Sequence, residues 1–286
     1  MNRFHLRSRS LAVLLAGTLA VAAATTPALA QMDRTPSLPT PNSVFLEDLT
    51  WMELRDAIAA GKTTAIVPTG GTEQNGPMMV LGKHNYLVRY KAGEIAALLG
   101  NAIVAPVMAY VPEGDIPGPK PAAGHMRFPG TITIPEDAYE KVLESAVRSL
   151  KNSGFLDIAL IGDSGGNQAG QKAVSELLNR EWAATNVRVH HISDYYPGRG
   201  DDIAAANGMT KEAIGSHAGS QDTTSLMYLN PGMLRFDKFT LGKANDGQGH
   251  VGDPRSGTAL IGKLILEAQI QDGARQIEKL RASSRQ

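Results

Sequence analysis

The sequence predicts an α/β protein, a three-layer α/β/α arrangement around a mainly parallel sheet. Three observations carry this expectation. Four short apolar runs rich in β-branched residues, at 62–68, 102–107, 155–161 and 187–192, have strand length and strand composition. Between them lie segments with apolar residues at helical spacing, giving the order βαβαβαβ, which buries a parallel sheet between helices. Polar, glycine-rich segments follow the first and third runs, at the carboxyl ends of strands, where open α/β sheets bind ligands.

Taken in order, residues 1–30 read as a secretory signal peptide. Arg3, Arg7 and Arg9 precede an apolar stretch over 11–24, and Ala28-Leu29-Ala30 offers a small-x-small cleavage site after Ala30. Residues 31–43, rich in Pro, Ser and Thr, read as a flexible leader, and 44–286 as a single domain. Thr50 caps a helix running to about Ala60. A second helix over 84–99 carries Leu87, Val88, Ala92, Ile95, Ala96 and Leu99 on one stripe, with His84 at its start. The long segment 108–130, rich in Pro and Gly, is of a length usually tied to function. Pro135 opens an amphipathic helix with Tyr139, Val142, Leu143, Ala146, Val147 and Leu150 on one stripe and Gly154 as its stop. A helix to about Trp182 follows the third strand, a short one follows Asp222, and a long one reaches about Arg281.

Composition narrows the functional classes. The 28 basic and 28 acidic residues cancel, and losing the three leader arginines leaves a slight acidic excess, so neither nucleic acid nor an anionic membrane is an expected partner. The chain has no cysteine, which excludes disulfides, thiolate catalysis and a Cys-ligated metal. The expected location is secreted or periplasmic, free of the membrane once the leader is cleaved. Any metal must be held by His, Asp and Glu, as zinc or manganese can be.

The polar candidates sit on four loops. The first holds Glu73, Asn75 and His84; the long segment holds Glu113, Asp115 and His125. The third is Gly162-Asp163-Ser164-Gly165-Gly166, and the fourth runs from Ser216 through His217 to Asp222. Gly162–Gly166 coincides with the serine segment of chymotrypsin-like proteases, but it lies between a parallel strand and a helix, where its amides can face an anion or oxyanion. A Ser164 nucleophile is nonetheless a third reading. Residues 257–263 lack the full pattern of a phosphate-binding loop. His190 and His191 are adjacent on a strand and point to opposite faces, so they read as structural, as does His250.

These motifs resemble those of the creatininase family, the creatinine amidohydrolase type of metal-dependent C–N hydrolases. The family's P-x-G-S-T-E-Q-H-G-P-H-L-P-L-G-T-D is similar to the stretch Pro68 to His84. Phe128-Pro129-Gly130-Thr131 matches FPGT, Gly165-Gly166-Asn167 the end of NGHGGN, His217-Ala218-Gly219 HAG, and Gly252-Asp253-Pro254 the segment before the last helix. The resemblance spans about 45–280 and implies a creatininase-like fold, a small-molecule amide substrate and a homo-oligomer, possibly a hexamer.

Carried over by position, the metal-binding Glu is kept as Glu73, a ligand His becomes Asn75, a ligand Asp becomes His84, and the His of the third loop becomes Ser164. The expectation is one divalent ion, zinc or manganese, on Glu73, His84 and Asp163 with Asp222 or His217 nearby, the second family metal being absent. The resemblance makes His217, matching the HAG histidine, the general acid; the backbone amides of Gly165 and Gly166 suit the oxyanion, and His125 of the long segment reads either as a residue that closes over the substrate or as a hydrogen-bonded structural one. The function expected is periplasmic, metal-dependent hydrolysis of a small cyclic or linear amide; the alternative is a relative that binds a small ligand without turnover.

Overall fold

The computed structural model describes residues 43–115, 118, 124–196 and 198–283, without the side chain of His125. The signal-peptide expectation and nearly all of the leader lie outside the described residues. Four strands, β1 (Thr64–Thr69), β2 (Ala102–Val104), β3 (Asp157–Gly162) and β4 (Arg188–His191), form one parallel sheet in the order β2-β1-β3-β4. β2 stops at Val104, short of the expected Val107, because Pro106 has no N–H to donate. The same ending accommodates Pro68 inside β1: its carbonyl accepts from Met108 at 3.0 Å, so its ring nitrogen faces the flank that β2 has vacated.

Side chains alternate across the sheet and build two apolar layers. Ala65, Val67, Ile103, Ile158 and Leu160 point to one face. There they meet α1 (Trp51–Ala59), α3 (Glu136–Asn152) and α4 (Gln168–Glu181) through Leu54, Ile58, Tyr139, Leu143, Val147, Val174 and Leu178. Ile66, Ala102, Val104, Ala159 and Ile161 point to the other face. They pack on α2 (Lys83–Leu99) and α8 (Ala259–Ser283) through Val88, Ala92, Ile95, Ile270, Ala274 and Ile277. The expected α/β/α layering is therefore present. Two short helices that the periodicity did not reveal, α5 (Gly200–Ala206) and α6 (Lys211–Ile214), precede α7 (Ser220–Leu229), which lies along α8. Among the described residues, no helix is long and apolar enough to cross a membrane.

The chain passes from β1 outward to β2 and then returns to β3 on the opposite flank of β1. That reversal opens a crevice at the carboxyl ends of β1 and β3, the topological switch point where such sheets bind ligands. The loop after β1 and the turn after β3 both empty into it.

Candidate active site

Three loops and the start of α2 meet over this crevice. Glu73 is buried, its amide donating to the Leu81 carbonyl at 3.0 Å, which closes the loop between β1 and α2. Glu113 reaches the same place from the long segment. Its access depends on two glycines: a Cβ at Gly71, where φ is +151°, would lie 1.6 Å from Glu113 Oε1, and one at Gly166 would lie 2.0 Å from the Pro112 carbonyl oxygen. Gly165 and Gly166 open the helical turn that runs into α4 and line a cavity of about 680 Å³ together with Glu73, Lys83, His84, Glu113, Ser164, His217 and Asp222.

His217 and Ala218 both occupy left-handed backbone, at φ 45° and 65°, a conformation that costs residues with side chains free energy and is held by the surroundings. Here a bridge between Ser216 and Val251 fixes one side, with the Ser216 amide 2.7 Å from the Val251 carbonyl, and the Ala218 amide donates to Asp222 Oδ2 at 3.0 Å on the other. The turn sets His217 Nδ1 3.3 Å from Glu73 Oε1.

His84 lies between two carboxylates, Nε2 2.8 Å from Glu73 Oε1 and Nδ1 3.1 Å from Asp163 Oδ2. An ionised carboxylate only accepts, so both ring nitrogens must donate and the ring is an imidazolium. Burial and the Lys83 charge oppose that proton, but the bonds to Asp163 and Glu73 outweigh them and raise the ring to about 9. Lys83 is buried, its ammonium paired with Asp222 and 3.6 Å from Glu73 Oε1. Lys91, one helical stretch later, is also buried and pairs with Asp163 Oδ1 while donating to Gln269 at 3.1 Å. Tyr195 completes the group with a 2.8 Å bond to Asp163 Oδ1. Burial would raise the Asp163 carboxyl, yet the Lys91 charge overrides it and holds the group down at about 2. Glu113 behaves oppositely: burial, then the Glu73 charge, push it up to about 7, and the Ser164 hydroxyl donates to its Oε2 at 2.9 Å.

The structure thus gathers Glu73, His84 and Asp163 as expected, but bonds them to each other rather than aiming them at a common centre. Among the described residues no group of three or more His, Asp and Glu side chains is placed to hold a metal ion. Asp222, the expected fourth ligand, is engaged by Lys83, and Asn75 folds back to donate to the Glu73 carbonyl at 3.0 Å. The donor set does not fit a divalent ion. A unit charge ~4 Å from another interacts by about 4 kcal/mol at an effective dielectric of ~20, and a divalent ion beside Lys83 would meet about twice that repulsion.

Of the other expected residues, His217, Gly165 and Gly166 reach the cavity, while the His125 side chain lies outside the described residues. Ser164 faces a carboxyl group rather than an imidazole. His190 pairs with Asp157 at 3.0 Å and His250 Nε2 lies 2.8 Å from the Thr240 carbonyl, and neither lines this cavity. Nothing in the sequence marks Tyr195 or Lys83 as a site residue, and Lys91 is marked only by its position. One signal was there to find, since Lys91 interrupts the apolar stripe of α2 between Leu87-Val88 and Ala92-Ile95.

Fold and site together define a doubly wound α/β protein with a buried acid–base cluster at its switch point. Residues 47–277 match the family described as Creatininase: Creatinine amidohydrolase, and the chain belongs to that family, whose members are metal-dependent amidohydrolases. It is 25% identical over 236 residues, 75% of this chain and 84% of the other, to the mycofactocin precursor peptide peptidase of Mycolicibacterium smegmatis. It is 27% identical over 119 residues, 42% of this chain and 44% of the other, to the creatinine amidohydrolase of Pseudomonas putida. A solved mutant creatininase superposes with a TM-score of 0.70 at 22% identity, covering 84% of this chain and 99% of that one. Other solved creatininases of the same fold are described as manganese and zinc–zinc forms.

Proposed function

We propose that this chain hydrolyses a C–N bond of a small amide held in the cavity between the β1 and β3 loops. The observation that carries this reading is that His217, Glu113 and the Gly165-Gly166 turn line one cavity at the switch point. Glu113, poised near 7, suits a general base that takes a proton from the attacking water. His217, braced by Glu73, suits the acid that delivers a proton to the leaving nitrogen. The amides at the start of the turn into α4 suit the developing oxyanion. Glu136 and Asp201, outside the paired cluster, make the lining acidic, which favours an amide bearing a cationic or N–H-rich group. We further propose secretion to the periplasm or exterior, supported by the N-terminal pattern, and self-association, which the family resemblance implies.

The test is a panel of cyclic amides, linear amides and short peptides, creatinine included, followed by release of amine. Turnover should be abolished by His217→Asn and by Glu73→Ala, and its pH dependence between 6 and 8 should flatten in Glu113→Gln, a range set by the group poised near 7. Turnover that survives His217→Asn and Glu73→Ala would sink the assignment. A second reading, ligand binding without turnover, is favoured by the ion pairs that engage Glu73 and Asp222. It requires saturable binding of an amide that wild-type protein leaves intact.

A further inference from the structure

Lys83, His84 and Lys91 all carry buried nitrogen, and all three face carboxylates in the cluster beneath the cavity. The partners match in number: Glu73, Asp163 and Asp222 stand opposite Lys83, His84 and Lys91. The placement runs against local preference. Lys83 and His84 occupy the first turn of α2, where the helix dipole disfavours cations, and no acidic residue occupies that turn to offset them. Their burial there is intelligible only through the carboxylates they meet across the crevice.

Asp163 is filled by these contacts. One oxygen takes Lys91 and the Tyr195 hydroxyl, and the other takes His84. His84 has no lone pair to offer while both of its nitrogens face carboxylate oxygens. Asp222 Oδ2 takes both the Lys83 ammonium and the Ala218 amide. Of the three cations, Lys83 and His84 border the cavity and Lys91 lies behind them.

We propose that Lys83, His84 and Lys91 supply from the chain itself the positive charge that a divalent ion would bring to these carboxylates, so that the pocket is complete without metal. The cluster is then a fixed part of the fold, and the cation presented to a ligand is the Lys83 ammonium.

The experiment uses the full chain purified without added metal and without substrate, so a failure here is distinct from a failure of the hydrolase reading. Metal content is measured before and after dialysis against zinc or manganese, thermal melts are recorded with EDTA and with each metal, and the ring nitrogens of His84 are observed by ¹⁵N NMR. Expected are less than stoichiometric metal, no shift of the melting midpoint with chelator or metal, and protons on both His84 nitrogens. One equivalent of metal that survives dialysis, a midpoint that falls with EDTA, or a His84 nitrogen in the metal-coordinated range would each overturn the proposal.

Discussion

The two faces of the sheet solve the same packing problem with different chemistry. Beneath α1, α3 and α4 the layer is made of large apolar side chains, among them Tyr139, Leu143, Phe155, Leu178 and Trp182. Beneath α2 and α8 it contains small residues, Ala92, Ala96, Ala102, Ala159 and Ala274, and one end of it holds Lys91, Gln269 and Tyr195. The ammonium of Lys91 lies 4.6 Å from the centre of the Tyr195 ring, a cation–π contact within the protein interior. The first face holds the fold through area and shape. The second carries a charge cluster whose stability depends on every partner being present. The difference teaches where the protein's function and its pH sensitivity must reside.

Phe155→Ala probes the apolar face and should have the largest effect. Phe155 is fully buried, and truncating such a side chain costs about 3–5 kcal/mol through lost transfer energy and the cavity left behind. Urea denaturation should show a lower midpoint at every pH. A loss that grew or shrank between pH 5 and 9 would mean that the two faces are not separate.

Lys91→Met attacks the other face. Removing one partner of a buried ion pair typically costs about 3–5 kcal/mol, and because Asp163 keeps His84 and Tyr195 the loss should fall near the lower bound. Equilibrium unfolding measures it. A neutral result would mean that the pair contributes no more than a methionine of similar volume.

Wild-type protein should also lose stability as pH rises. Folding raises His84 from 6.5 to about 9, so the folded state binds the extra proton between those values. The stabilisation is therefore complete below pH 6.5 and is lost as pH climbs through 9, a difference of roughly 3 kcal/mol for a shift of that size. Glu113, raised from 4.5 to about 7, acts in the same direction over its own interval. Melting midpoints at pH 6 and pH 9 give the check, and a higher midpoint at pH 9 would contradict the imidazolium at His84.

The same contrast explains what the sequence could reveal. The strands were legible as short apolar runs buried on both faces, and the four larger helices after β1 because period 3.6 is imposed by burial along a single element. The loops bearing Glu73 and Asp163 were legible because they follow strands, and these and the His217 loop carry the motifs of a family. What was hidden is pairwise: Lys83 meets Asp222 across 139 residues, and Lys91 meets Asp163 across 72. A lysine at the start of a helix ordinarily reads as a solvated residue, and only the fold shows that carboxylates wait opposite. Taken singly as ligands, Asn75, His84 and Ser164 read as a rearranged metal site. Their neighbours show His84 as a donor between anions instead. Helices α5 and α6 escaped because each has too few residues for a period to emerge.

The smallest expected effect returns to the apolar face. Thr50 caps α1: the Glu53 amide donates to its hydroxyl at 3.3 Å, and its own amide donates to Glu53 Oε2 at 2.7 Å. Thr50→Ala removes the side-chain half of this reciprocal pair, for a loss of about 1 kcal/mol. The capping group is exposed, and α1 touches the apolar layer only through partly buried Leu54 and Ile58, so the loss should be local. Amide exchange should quicken in α1 while that of β1 and β3 stays unchanged, and the slope of stability against pH should match that of wild type. If the slope changed instead, a perturbation on one face would have reached His84 through the sheet, and the division between a packing face and a charged face would no longer describe this protein.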